Sequence, residues 1–311
     1  MDPTGKSPQP RSLQQEVQEQ VLTRLGKVAV AARQAVESVL AGSHRSVRRG
    51  LSVEFAGHRP YQPGDDLRSL DWVVWARSDR YDVRVYEEET RLRATLVVDA
   101  SGSMGYAWPG GKTKLDYARM LAAALAFLMV RRSDAVGLVI CDTGVRMHLP
   151  PASTMGNLLT MLTRLEAVPA GGGTGLGAVL EELAPRLNRR GLVILITDAC
   201  DDPERLGNAL RLLRHRRQDV RLFHLLDPDE DDFPFTGAVE FHGMEGEPKL
   251  RIDGDRVRPW YRQARAAHVK RVAELCHASG VQMVTMRTDG DPALALVQAL
   301  TAQGPAAANR T

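Results

Sequence analysis

The sequence predicts an α/β fold, a mostly parallel sheet flanked by helices on both faces, over residues 92–303. Two observations carry this. From residue 92 onward, short apolar runs alternate with longer segments of helical spacing, the signature of successive strand–helix–strand units. Two of those runs, residues 94–98 and 192–197, are followed at once by an aspartate, at the carboxyl ends of strands where open α/β sheets bind their ligands.

The elements follow in order. Residues 1–42 are a polar tail and an amphipathic helix. Leu13, Val17, Val21, Leu25, Val28, Ala32, Val36 and Leu40 share helical spacing, and Ala41-Gly42 supplies a C-cap. Residues 43–91 change character. Val53-Glu-Phe55, Leu70-Asp-Trp-Val-Val-Trp75 and Tyr81-Asp-Val-Arg-Val-Tyr86 are short and rich in β-branched and aromatic residues, with Pro60, Pro63 and Gly64 as breakers. This segment reads as a small β-rich module whose aromatics (Tyr61, Trp72, Trp75, Tyr81, Tyr86) give it something to bury.

In the larger region the expected strands are 93–99, 135–141, 145–149, 192–197, 220–226 and 281–287. The expected helices are 114–131, 154–168, 176–187, 203–217, 260–278 and 292–302. Val145, Met147 and Leu149 alternate after the turn Asp142-Thr-Gly144, which predicts a short antiparallel edge strand. Residues 227–259 interrupt the alternation with an acidic turn and a hairpin, and residues 304–311 form a frayed tail.

Composition narrows the class. With 41 basic and 38 acidic residues among 311, the net charge of +3 gives no footprint for nucleic acid. The basic run at residues 211–217 reads as a solvated helix end, where cations suit the macrodipole. Cys141, Cys200 and Cys276 form no paired spacing, and the eight histidines include no H-E-x-x-H. No signal-peptide core opens the chain, and the longest apolar run, residues 120–130, is well short of the ~20 residues that cross a bilayer. The expectation is a soluble, cytoplasmic protein without a membrane span.

The candidate site lies in Asp99-Ala-Ser101-Gly-Ser103. One carboxylate and two hydroxyls at alternating positions suit a hard cation. Magnesium takes oxygen ligands in near-octahedral array and keeps several waters, for which small serines leave room. Thr174, in the glycine run 171–175, and Asp198, ending the run 192–197, supply matching oxygens. The order of these five residues is similar to the metal-ion-dependent adhesion site of von Willebrand factor A domains. That resemblance makes Asp99, Ser101, Ser103, Thr174 and Asp198 the expected ligands of Mg2+ or another divalent cation, with a position left for an Asp or Glu of a client protein.

Rival chemistries are weaker. Gly110-Gly-Lys112-Thr113 matches the end of a phosphate-binding loop, but Tyr106 stands where its first glycine belongs, so nucleotide binding through Lys112 and Thr113 is the alternative. Gly173-Thr-Gly175-Leu-Gly-Ala178 fits G-x-G-x-x-A without a strand leading into it. Ser103 has no G-x-S-x-G context, and nothing in the sequence designates a base for it. The acidic turn 227–232 lacks calcium-loop spacing and reads as solvated.

Residues 59–72 (Arg-Pro-Tyr-Gln-Pro-Gly-Asp-Asp-Leu-Arg-Ser-Leu-Asp-Trp) and Ala76-Arg77 mix charge and aromatics densely. They read as a structural network of Asp65, Asp66 and Asp71 with Arg59, Arg68 and Arg77. This block, together with residues 50–55 and the Asp99–Ser103 strand end, resembles the bacterial domain-of-unknown-function family 58 over residues 43–302. The resemblance implies a von Willebrand A-type domain behind a short β-rich piece. It further implies a non-enzymatic adaptor or assembly factor working with a MoxR-type AAA+ ATPase on client proteins. Many members carry N-terminal membrane helices. Here residues 13–40 are amphipathic and charged instead.

Overall fold

The computed structural model of the chain describes residues 55–62, 71–78, 80–86, 92–187 and 190–291, which fall into two compact units, one within residues 42–91 and one from residue 92 onward. The predicted helices over 13–40 and 292–302 lie outside the described residues, as do Asp65, Asp66 and Arg68 of the charged block.

In the smaller unit, β1 (Phe55–Pro60) pairs antiparallel with β2 (Asp82–Tyr86), and α1 (Trp72–Ser78) lies between them in sequence. The β-type reading is therefore corrected over residues 72–75, Leu70 lying outside the described residues. Local capping overrides the strand propensity of Trp-Val-Val-Trp: the Asp71 carboxylate accepts from the amide of Val74 at 3.4 Å, and its carbonyl accepts from the amide of Trp75. Nor do Trp72, Trp75 and Tyr81 form a buried core. All three are exposed and pack on one another, Trp75 stacking on Tyr81 with centroids 6.3 Å apart.

The larger unit holds β3 (Arg93–Asp99), α2 (Lys114–Arg131), β4 (Ala135–Cys141), β5 (Val145–Ala152), α3 (Met155–Ala167), α4 (Leu176–Leu183) and β6 (Gly191–Thr197). These are followed by α5 (Pro203–His215), β7 (Gln218–Leu226), α6 (Pro228–Asp232), β8 (Ala238–Phe241), β9 (Leu250–Asp253), α7 (Gly254–Ala278) and β10 (Gln282–Arg287). Six strands form one sheet in the order β10-β7-β6-β3-β4-β5, parallel except for the edge strand β5, as its alternation predicted.

Side chains alternate across this sheet, so neighbouring strand residues feed two different cores. Leu96, Val98, Leu138, Ile140, Ile194 and Ile196 pack under α2 and α3. Val97, Val139, Val193, Leu195, Val220 and Leu222 pack under α4, α5 and α7. α2 is buried on most of its circumference, with Ala118, Ala122, Ala123, Ala124 and Ala126 keeping it slim enough to lie close on the sheet.

The chain builds β4 and β5 on one side of β3 and then crosses to β6 on the other side. The carboxyl ends of β3 and β6 therefore flank the point where strand order reverses, which is where such sheets open a ligand crevice.

Several boundaries differ from expectation; β5 runs three residues further, to Ala152, and β7 starts two residues early, at Gln218. α7 begins at Gly254, six residues early, with Pro259 inside it. Asp253 caps it by accepting from the amides of Asp255 (3.1 Å) and Arg256 (3.3 Å), which sets the start regardless of the proline downstream. The helix expected to reach residue 187 ends at Leu183 and tightens into a 3-10 turn, Ala184–Arg186, with Pro at its start. The acidic turn is α6, a single helical turn closed by a capping box between Asp227 and Glu230. β8 and β9 form the expected hairpin. No described helix is long and apolar enough to cross a membrane.

Candidate functional site

The five residues singled out in the sequence come together at the switch point. Asp99 ends β3 and Asp198 follows β6, both buried. Asp99 uses both oxygens to shape its own loop: Oδ1 accepts from the amide of Ser101 at 2.9 Å and Oδ2 from the hydroxyl of Thr197 at 2.7 Å. Ser101 is fully buried, and its Oγ lies 3.2 Å from that of Ser103. Ser103 thus stands beside the buried Ser101 hydroxyl next to Asp99.

Thr174 arrives on the glycine loop. The amide of Gly171 donates to the carbonyl of Ala100 at 3.0 Å, and the amide of Gly102 donates to that of Gly172 at 2.8 Å, lacing this loop onto the one after β3. Gly172 has φ of +80°, and a Cβ there would meet the Asp142 carboxylate at 2.6 Å, so both the conformation and the close approach require glycine. Arg146 fastens the loop from the other side, donating to the carbonyls of Pro169 (2.9 Å) and Gly171 and pairing with Asp142 at 2.6 Å.

The turn carrying Asp198 is held as firmly. Ala199 adopts the left-handed φ of +52°, unusual for a residue with a side chain, and its amide donates to Thr197 Oγ1 at 2.9 Å. His224 Nε2 lies 3.0 Å from the carbonyl of Asp198, and His268 Nε2 lies 2.9 Å from that of Ala199.

Three further charged residues join the site. Lys114, the first residue of α2, is completely buried. Its Nζ donates to Asp198 Oδ2 at 2.7 Å and also to Glu230 of α6. Glu245, at the tip of the β8–β9 hairpin, accepts from the amide of Ser103 at 3.2 Å, from the amide of Thr174 at 2.8 Å and from the Thr174 hydroxyl at 2.7 Å. Neither Lys114 nor Glu245 was legible as part of the site. Lys114 starts a helix like any solvated residue, and Glu245 lies 71 residues beyond Thr174 in a loop without a motif. Only the assembled fold brings them in.

The acidic turn is corrected here as well. Asp227 is fully buried, capping α6 and accepting from the amide of Trp108 at 3.1 Å, while Glu230 serves Lys114. The Gly-Gly-Lys-Thr loop is an ordinary helix entry. Lys112 is exposed, and Thr113 caps α2 by accepting from the amide of Asp116 at 3.0 Å.

The two strand-end aspartates titrate in opposite directions. Burial and the neighbouring Asp198 push Asp99 up to about 6. Burial alone would raise Asp198 too, but the Lys114 ammonium overrides it and holds the carboxyl below its ordinary value. Lys114 itself is raised, because Asp198 and Glu230 outweigh the burial that would lower it. Burial lowers His224 to about 4, so it is neutral near pH 7.

The donor set is two carboxylates and three hydroxyls, all hard oxygens, and it fits a hard divalent cation. No described group of three or more His, Cys, Asp or Glu side chains has metal-holding geometry, so any cation here relies on the hydroxyls. Lys114 already offsets one of the two strand-end charges. Among the described residues no ion pair offsets Asp99.

The chain has relatives in both sequence and structure. It is 30% identical over 283 residues to uncharacterized proteins of Mycobacterium tuberculosis and Mycobacterium bovis, covering 86% of this chain and 84% of each relative. In fold it is similar to BatB from Bacteroides thetaiotaomicron (TM-score 0.46, 15% identity, 68% of this chain and 98% of that one). It is similar likewise to an aerotolerance-related membrane protein from Bacteroides fragilis (TM-score 0.46, 18% identity, 68% and 100%). Residues 57–271 match the family described as "Protein of unknown function DUF58", and the chain belongs to that family.

Proposed function

We propose that this chain is a non-enzymatic protein-binding adaptor whose binding face is switched on by a divalent cation, magnesium by preference, and that it works with a MoxR-type AAA+ ATPase on client proteins. The observation that supports this reading is the meeting of Asp99, Ser101, Ser103, Thr174 and Asp198 at the switch point of the sheet. Thr197, beside Asp198, donates to Asp99, 98 positions away, and Glu245 joins Ser103 to Thr174.

In this reading the chain's own residues do three things. Asp99 and Asp198 supply the negative charge that attracts the cation, Asp99 more so because Lys114 already shares Asp198. Ser101, Ser103 and Thr174 supply neutral oxygens without adding charge, so the bound ion keeps a surplus of positive charge. The hydrogen bonds from Ser101 and Thr197 to Asp99, and the two histidines behind the Asp198 turn, hold these oxygens still before anything binds. The cation, when bound, supplies an electrophilic position for the carboxylate of a client's Asp or Glu, a charge-assisted contact that needs no reaction chemistry.

The test is a pull-down from the native host with the full chain as bait. Recovery of the ATPase or client is expected from wild type, with loss from Asp99→Ala and from wild type in EDTA. Equal recovery in all three contradicts the proposal.

A further inference from the structure

The β8–β9 hairpin tip stands where the proposed client carboxylate would stand. Its Glu245 meets the site from outside the sheet and takes three hydrogen bonds, all from Ser103 and Thr174. We propose that Glu245 is an internal ligand of this site: the chain supplies its own carboxylate to the position a client would use, and a client must displace the hairpin to bind. The inference rests on the divalent-cation reading above and adds to it a sixth protein residue and a competitor built into the fold.

The geometry supports a built contact rather than a chance approach. The backbone of the hairpin tip lies so close to the loop after β3 that a Cβ on Gly102 would come within 2.2 Å of the Met244 carbonyl oxygen. The Glu245 amide is fixed by the Glu247 carboxylate at 2.9 Å, and Gly246, with φ of +100°, lets the chain reverse immediately after Glu245. The hairpin is at the same time separate from the main sheet. β8 and β9 are four residues each and, among the described residues, pair only with each other. Behind the tip lies a cavity of about 490 Å3 lined by Phe235, Phe241, Met244 and Tyr261, and Phe241 at the end of β8 stacks on Phe233 with centroids 5.9 Å apart. Because the hairpin is a sheet of its own, its tip beyond Phe241 can leave without disturbing the six-stranded sheet.

An internal carboxylate has two consequences that a merely structural glutamate lacks. It adds an oxygen donor to the site, so removing it weakens cation binding. It also fills a position that otherwise holds water or an external carboxylate. Both are read by titrating the full chain with Mn2+ and measuring affinity together with water-proton relaxation, for wild type, Glu245→Gln and Asp99→Ala. Glu245→Gln keeps the size of the side chain, and its thermal unfolding confirms the fold. The expected result is one Mn2+ per wild-type chain and affinity lower by about tenfold in Glu245→Gln. Relaxation enhancement should be higher in that variant, and tens of millimolar acetate should reverse it there but leave wild type unchanged. Equal affinity and equal relaxation in wild type and Glu245→Gln, with Asp99→Ala weakened, overturns the internal ligand while leaving the cation site standing. Absence of Mn2+ binding by wild type overturns both.

Discussion

Lys114 Nζ lies 2.7 Å from Asp198 Oδ2 with both side chains removed from water, so the site carries a fixed cation of its own before any metal is considered. Removing one partner of a buried ion pair strands the other, which costs about 3–5 kcal/mol. Lys114→Met should therefore lower stability by about that amount in EDTA, since Glu230 also loses its partner. Magnesium should recover part of the loss, because a divalent ion can answer Asp198 in place of the ammonium. Urea unfolding with and without Mg2+ measures this, and a loss that magnesium does not touch contradicts a shared role for Lys114 and the cation.

Asp99 and His224 predict opposing pH dependences in the cation-free protein. Asp99 is raised from 3.8 to about 6, so the folded state favours its protonated form; stability from this group grows as pH falls from 6 toward 4 and is lost as pH rises through that window. His224 is lowered from 6.5 to about 4, so the folded state disfavours its charged form; stability is full above pH 6.5 and lost as pH falls to 4. Each is worth about 3 kcal/mol at its limit, and the two nearly cancel. In EDTA, His224→Gln should resist acid better than wild type between pH 6.5 and 4, and Asp99→Asn should resist it less. Unfolding curves of the three proteins that shift in parallel with pH contradict this assignment.

Gly102→Ala should lift the hairpin tip without touching its sequence, since the new methyl falls 2.2 Å from the Met244 carbonyl oxygen. Amide exchange in residues 242–249 should speed up while the sheet strands keep their protection. Unchanged exchange in that segment would mean that the tip does not rest on Gly102.

Lys112→Ala should change stability by less than about 0.5 kcal/mol, the usual range for an exposed side chain without partners in a special geometry. ATP should not bind either protein in calorimetry. Stoichiometric ATP binding that disappears in Lys112→Ala would restore the phosphate-loop alternative.

Strand positions were readable from the sequence because each central strand is buried on two faces and must be apolar, and the ends of β3, β4 and α2 fall where the pattern stops. Asp99 and Asp198 were legible for the same reason: each is the polar residue that ends such a run. The helix at Trp72–Ser78 was not, because a single capping aspartate decided between two conformations that the aromatic and β-branched residues leave open. Nor was the burial of Asp227, since an acidic run looks solvated until the fold supplies donors such as the Trp108 amide. Lys114 and Glu245 reach the site only through tertiary contacts spanning 84 and 71 residues, distances at which no local pattern in the sequence reports a partner.

The central claim is that Asp99, Ser101, Ser103, Thr174 and Asp198 hold one divalent cation, and calorimetric titration of the full chain with Mg2+ at pH 7.5 tests it most directly. One ion per wild-type chain is expected, with affinity lower by at least tenfold in both Asp99→Ala and the Ser101→Ala/Ser103→Ala double variant, each still folded by thermal unfolding. Wild type that takes up no ion at millimolar Mg2+, or variants that bind as tightly as wild type, would contradict it.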